Sequence, residues 1–297
     1  MGDRPLIRRL IKLGATLTGP ARAHRQDVWP GLRIDRATGQ VTWKGRALTR
    51  LVPFSQIVPQ GLPLIAVVGS GPSLREQHPE NLPPRSAILL NGAASLADRV
   101  QPLAAMVEDE RFVFRHMAMM ESLPRDLPLM LSPAAVRAIA ERDAGVLQDR
   151  TVALIDNLAK PVNAARRPMT DPALDAVLAR DGMAALSRDP DAGVVNFGTV
   201  AMTAVQVALA AAPQRLLLAG IDLANAAIAP RFYETAGQAA PSGIVAGLDR
   251  SLAGFALALD VAGQRNIKMT CASPISALLE LGYHRDGLLD ATKGSSA

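Results

Sequence analysis

Several short groups of residues in this chain have the types and spacing needed to handle an anionic ligand. The first is Gly69, Ser70, Gly71, Pro72 and Ser73, which follows the apolar run Leu64-Ile-Ala-Val-Val68. A β-branched apolar run that stops at a glycine turn reads as a buried parallel strand feeding a loop. Gly69 and Gly71 permit conformations and close approaches that a Cβ forbids, Pro72 fixes φ, and Ser73 can cap a following helix. A phosphate suits such a loop. So does a plain tight connection, and spacing alone does not choose between them. A second apolar run, Ser86 to Leu90, ends at Asn91, so two strand ends present polar residues at the edge where doubly wound sheets bind nucleotides.

Further candidates lie downstream. Glu108, Asp109 and Glu110 close a third apolar run, Ala104 to Val107. Acidic residues at a strand's carboxyl end lie where α/β enzymes keep their chemistry, although an exposed acidic strand end accounts for them equally well. Gly198 and Thr199 open an Ala-rich helix, Val200 to Ala212, that must be buried nearly all round. Amides at a helix start attract anions, while the plainer role of Thr199 is an N-cap. A strand then ends in Gly220-Ile-Asp222. Residues 224–248, with Pro230, Gly237, Pro241, Gly243 and the group Arg231-Phe-Tyr233-Glu234, read as a lid. The last strand, Lys268 to Ala272, leads to Ser273-Pro274. His116 and His284 read as surface or structural residues.

The elements that must position these groups divide the chain into an N-terminal helix (1–25), an appendage and linker (26–60), a main domain (61–290) and a disordered tail (291–297). Over residues 4–18 a helix sets Arg8, Arg9 and Lys12 beside Leu6, Ile7, Leu10, Ile11 and Leu13, which suits an anionic lipid surface. The same helix also suits packing on the domain or on a second subunit. Alternation around Ala37-Thr-Gly39 predicts a β-hairpin beside the main sheet. Within the main domain, Leu127–Leu131 and Thr151–Ile155 are strand candidates, and Ala134–Arg142 and Ser251–Ala262 are helices. Pro161 to Asp191 is a long excursion with one helix, Pro172–Arg180. The expected class is α/β and Rossmann-like: a mostly parallel sheet with helices on both faces.

Composition narrows the function. With 297 residues and 49% hydrophobic content a large core is affordable, while 3% aromatic residues argue against a nucleic-acid reader built on stacking. The net charge of +5 is uneven: residues 1–50 hold eleven Lys or Arg against three Asp, a net +8, leaving about −3 for the other 247. The lone Cys271 excludes an intramolecular disulfide, and 4 His give no sign of a zinc cluster. No secretory signal or spanning helix of about 18–20 apolar residues is expected. A cytoplasmic protein, soluble or peripheral on the inner face of a bacterial inner membrane, fits.

Taken together, Gly69-Ser-Gly-Pro-Ser-Leu74, Asn91, Gly198-Thr-Val-Ala leading to Gly220-Ile-Asp222, a lid Tyr and the closing Ser273-Pro274 resemble glycosyltransferase family 42. These are the bacterial sialyltransferases that use CMP-linked sugars, within a superfamily shared with 6-hydroxymethylpterin diphosphokinase-like proteins. The resemblance spans roughly residues 62–280. It implies a Rossmann-like domain with a lid and a metal-independent transfer needing no cofactor. The glycine loop and Asn91 would lie near the nucleotide and its phosphate, Thr199 near the CMP, and Tyr233 would hydrogen-bond the departing phosphate. Apart from the resemblance, Arg231, two residues from Tyr233, would by its charge offset that of the leaving group or be a solvated lid arginine.

One departure matters. The family places a catalytic His in or just after the lid, and residues 224–270 contain none. Asp109 and Glu108 are the first alternative bases and Glu234 the next. The expected reaction is inverting transfer of a 2-keto-3-deoxy sugar acid, sialic acid or Kdo, from CMP to a cell-surface glycan or lipid-linked acceptor of lipopolysaccharide or capsule. A Mg-dependent diphosphokinase and a non-catalytic nucleotide-binding scaffold are the alternatives. No nucleic-acid partner is expected, and a homo-oligomer is compatible.

Overall fold

The computed structural model describes residues 4–223, 231–234 and 247–290, so most of the expected lid and the expected tail lie outside the described residues. Helix α1 (Leu6–Thr16) is followed by strands β1 (Leu32–Ile34), β2 (Gln40–Trp43) and β3 (Arg46–Arg50) and the single turn α2 (Phe54–Ile57). Next come β4 (Leu64–Val68), β5 (Ala87–Leu90), β6 (Ala104–Val107), α3 (Glu110–Arg115), α4 (Met117–Ser122), β7 (Leu129–Leu131), α5 (Pro133–Asp143) and β8 (Val152–Leu154). The chain finishes through β9 (Leu178–Asp181), β10 (Ala184–Ser187), α6 (Val200–Ala210), β11 (Arg215–Ala219), α7 (Leu248–Gln264), β12 (Lys268–Cys271) and β13 (His284–Arg285).

Eight strands form one sheet in the order β13-β12-β11-β4-β5-β6-β7-β8, with every neighbouring pair parallel. From β4 the chain winds outward to β8, then returns to the other side of β4 as β11 and winds the opposite way. The direction therefore reverses between β4 and β11, and a crevice outside the carboxyl ends at such a point is where open α/β sheets bind ligands. This is the expected Rossmann-like class. The central strands are buried at every position, which is why they read as unbroken apolar runs. On one face Ile65, Val67, Ile88 and Met106 pack with α6 and α7, and on the other Ala105, Val107, Leu129 and Leu131 pack with α3 and α5.

Four departures from the sequence reading have local causes. Pro172–Arg180 is not a helix: a 3₁₀ turn, Pro172–Leu174, leads into the β9–β10 hairpin, turned by Gly182-Met183 with Gly182 at φ +50°. A glycine at the first position of a two-residue loop is a hairpin signal, and it overrides the weak helical period. The N-terminal hairpin gains a third strand, and Val52 N donates to Val152 O, so the appendage covers the β8 edge. After the glycine loop there is only a 3₁₀ turn, Pro72–Arg75, rather than a capped helix.

The fourth departure is α1. Two of its three cations, Arg8 and Lys12, turn inward while Arg9 stays exposed: Arg8 is fully buried, donating to Trp29 O at 2.5 Å and to Gln26 O at 2.8 Å. Arg4, Arg8 and Lys12 all pair with Glu110, which also meets the buried Arg137. Burial pushes the Glu110 carboxyl up, but the Arg4 hydrogen bond and the Arg137 and Lys12 charges outweigh it and hold the group low. One buried carboxylate thus gathers the basic side of α1 onto α3 and α5.

Candidate functional site

Strands β4 and β11 end side by side, and their loops are stitched together. Gly69 N donates to Ala219 O and Gly71 N to Gly220 O, each at 2.8 Å. Ser73 donates to both oxygens of Asp222, through N at 2.9 Å and Oγ at 2.7 Å. This seam needs its glycines: a Cβ on Gly71 would collide with the Asp222 carboxylate and stand 2.7 Å from Gly220 O. Gly69, Gly71, Ser73 and Asp222 are therefore accounted for by loop-to-loop packing, and Ser73 and Asp222 are buried. Ser70 and Pro72 remain half-buried at the rim.

One strand over, Asn91 follows β5 with φ +45°, and its buried side-chain Oδ1 has no hydrogen-bond partner among the described residues. Buried amide oxygens are nearly always bonded, so an orphan at a strand end marks a place where a ligand donor fits. Beside it, the Tyr233 ring lies against Gly92, at a position that any Cβ there would occupy. Phe232 N donates to Ser70 O at 3.2 Å, and Arg75 Nη2 donates to Arg231 O and Glu234 O at 2.8 and 3.1 Å, which holds the 231–234 turn on the glycine loop. Arg231 and Glu234 pair with each other at 2.7 Å. Burial raises the Tyr233 phenol, with Glu234 adding to the rise and Arg231 opposing it, so this hydroxyl keeps its proton.

Glu108, one residue beyond β6, is the other pole of the site. Thr203 Oγ1 donates to its Oε1 and Asn196 Nδ2 to its Oε2 at 3.4 Å. Burial raises the Glu108 carboxyl to about 7; the Thr203 hydrogen bond lowers it, and the Asp109 charge raises it. A carboxyl poised there exchanges protons at neutral pH. Asn196 also accepts from Gly198 N at 2.8 Å, Gly198 has φ +84°, and Thr199 Oγ1 caps α6. The start of α6 and the ends of β5 and β6 thus frame one edge of the sheet.

The remaining sequence candidates have other partners. Asp109 caps α3 through Arg111 N and pairs with the Arg111 guanidinium at 2.7 Å. Ser273 is fully buried, and its hydroxyl accepts from Ile275 N at 3.3 Å in the turn after β12. Two further residues stand at the site: His116, which the sequence reads as surface or structural, and Arg250, which it does not single out. His116 meets the Tyr233 ring edge-on, with centroids 5.7 Å apart. Arg250, from the first turn of α7, stands so close that a Cβ on Gly198 would be 2.9 Å from its Nη2. Nothing local flags either, because each reaches the site through a fold contact with a distant segment. Among the described residues no group of three or more His, Cys, Asp or Glu is disposed to hold a metal ion.

No family model and no curated protein matches the chain. Among solved structures, the chain is similar to the sialyltransferase CstII from Campylobacter jejuni in complex with a substrate analogue, CMP-3FNeuAc. That likeness has 12% identity and a TM-score of 0.37, covering 79% of this chain and 93% of that one.

Proposed function

We propose that the protein is an inverting glycosyltransferase that moves a 2-keto-3-deoxy sugar acid, sialic acid or Kdo, from its CMP donor to a hydroxyl of a cell-surface glycan. Glu108 carries this reading: a carboxyl raised to about 7 at the carboxyl edge of the sheet, held by Thr203 and Asn196, suits a general base for an alcohol. Asp109 and Glu234 suit the role less, since each is already paired with an arginine.

In the proposed step, Glu108 takes the acceptor hydroxyl proton as that oxygen bonds to the anomeric carbon. The bond from that carbon to the phosphate oxygen breaks, and its electron pair leaves with CMP. Tyr233, kept neutral, donates a hydrogen bond to the departing phosphate, and Arg231 offsets its charge. Asn91 Oδ1 accepts from a donor group of the nucleotide, while the rim of the glycine loop at Ser70 and Pro72 borders it. The start of α6, at Gly198 and Thr199 with Arg250 alongside, takes the anionic end of the donor.

The test is CMP release and thermal shift of the full chain with CMP-sialic acid and CMP-Kdo in EDTA, beside ATP with Mg²⁺. A shift and CMP release with either CMP sugar support the proposal. In Glu108→Gln, donor binding should survive while release falls by about 100-fold or more. A shift confined to ATP with Mg²⁺ would move the reading to phosphoryl transfer, and no shift with any of them would leave a non-catalytic scaffold.

A further inference from the structure

Helix α1 is built inside out for a water-facing helix. Arg8 and Lys12, with Arg4 just ahead of the helix, converge inward on Glu110, while Leu6, Ile7, Leu10 and Leu13 point away from the protein with 76, 61, 63 and 68% of their surface exposed. Leu17 continues the stripe at 88%, and Trp29, whose carbonyl accepts from Arg8, is 59% exposed. A surface helix normally turns its apolar stripe to the core. A continuous exposed apolar stripe marks a surface that something else covers.

Charge identifies the occupant. Arg9, Arg22 and Arg25 are exposed beside this stripe, with no side-chain partner among the described residues. The first fifty residues carry a net +8. A second copy of the chain, docked stripe to stripe, would bring two such unneutralised rims together. An anionic lipid surface instead supplies an apolar layer for the leucines and negative headgroups for the arginines, and the headgroup boundary is where Trp side chains settle.

We propose that α1 is an interfacial anchor, lying flat on an anionic bilayer with Leu6, Ile7, Leu10, Leu13 and Leu17 immersed and Trp29, Arg9, Arg22 and Arg25 at headgroup level. No described helix is long and apolar enough to cross a membrane, so the attachment is to one surface. Glu110 clamps this anchor to α3, two residues after Glu108, so docking orients the carboxyl edge of β6 relative to the lipid. The proposal does not depend on the chemistry assigned to that edge.

The experiment is sedimentation of the full chain with vesicles of phosphatidylcholine alone and with one-third phosphatidylglycerol. Expected is partitioning about tenfold or more stronger onto the anionic vesicles, weakening in high salt. Partitioning should fall about tenfold in the Leu10→Glu, Leu13→Glu double variant and severalfold in Arg9→Glu, Arg22→Glu, Arg25→Glu. Because a variant can misfold, Trp29 emission in a Trp43→Phe background gives a second reading: a blue shift on adding anionic vesicles supports immersion. Equal partitioning onto neutral and anionic vesicles, retained binding by the double variant, or an unshifted Trp29 overturns the proposal. So does a solution dimer that Leu10→Glu, Leu13→Glu splits, which would assign the stripe to a second copy.

Discussion

Three successive acidic residues after β6 have three different environments. Glu108 faces Thr203 and Asn196 at the sheet edge, Asp109 turns back to cap α3, and Glu110 is driven inward to neutralise α1 and Arg137. If Glu108 is the base, the rate should rise with pH through about 7, because only the carboxylate accepts a proton. Measuring CMP release from pH 5 to 9 checks this, and a flat profile would remove Glu108 from the role. Stability gives an independent test. A carboxyl whose folded pKa is raised from 4.5 to about 7 contributes stability that is present below 4.5 and lost as pH rises through about 7. Glu108→Gln should therefore match the parent at pH 4 and exceed it by about 3 kcal/mol at pH 8, read by denaturant melts at both.

Tyr233 offers a cleaner probe than its own deletion. Gly92→Ala places a methyl where the ring and its hydroxyl now lie, forcing Tyr233 off the end of β5 while leaving the phenol itself in the chain. The expected outcome is a loss of CMP release comparable to that of Tyr233→Phe, with an unchanged melting temperature, since the displaced turn lies outside the sheet. Full activity in Gly92→Ala would show that the Tyr233 position does not matter.

At the scale of elements, the glycine loop works as a seam. Backbone bonds from Gly69 and Gly71, with the Ser73–Asp222 pair, lock the loops of β4 and β11 together across the point where the sheet reverses. Gly71→Ala should cost about 2–4 kcal/mol, because the new methyl must push aside a bonded carboxylate and a backbone carbonyl. Chemical denaturation of that variant decides it, and a change below about 0.5 kcal/mol would show that the loops part easily. The Gly-Ser-Gly-Pro spelling was legible as a strand end. Whether its glycines served a phosphate or a neighbouring loop was not, because Asp222 lies 149 residues away from Ser73. The helix expected over 172–180 failed for the opposite reason: Gly182, opening a two-residue loop, is a local signal that a broad helical window masks.

At the scale of the molecule, acid should loosen the N-terminal helix before the sheet. The Glu110 carboxyl is held below its usual range, so its pairing contributes stability above the unfolded value of 4.5, and that contribution is lost as pH falls through the folded one. Its loss leaves Arg8 buried without its carboxylate and Arg137 with only Glu141. Amide hydrogen exchange should show α1 losing protection at a pH where α6 and β4 keep theirs, and simultaneous loss would contradict this anchoring.

By itself, the sequence determined the α/β class, the central strands, the buried Ala-rich helix and the edge of the sheet where polar residues gather. Those features follow from local physics: a strand buried on both faces must be an unbroken apolar run, and a helix buried all round can carry few polar groups. Only the tertiary structure decided which carboxylate faces the edge, which polar residues fasten loops, and which side of α1 points outward. Each depends on a partner far along the chain, such as Thr203, 95 residues from Glu108, or Glu110, 106 residues from Arg4. Residue type sets what a side chain can do; packing against distant segments sets its desolvation and its partners, and these select one role among several.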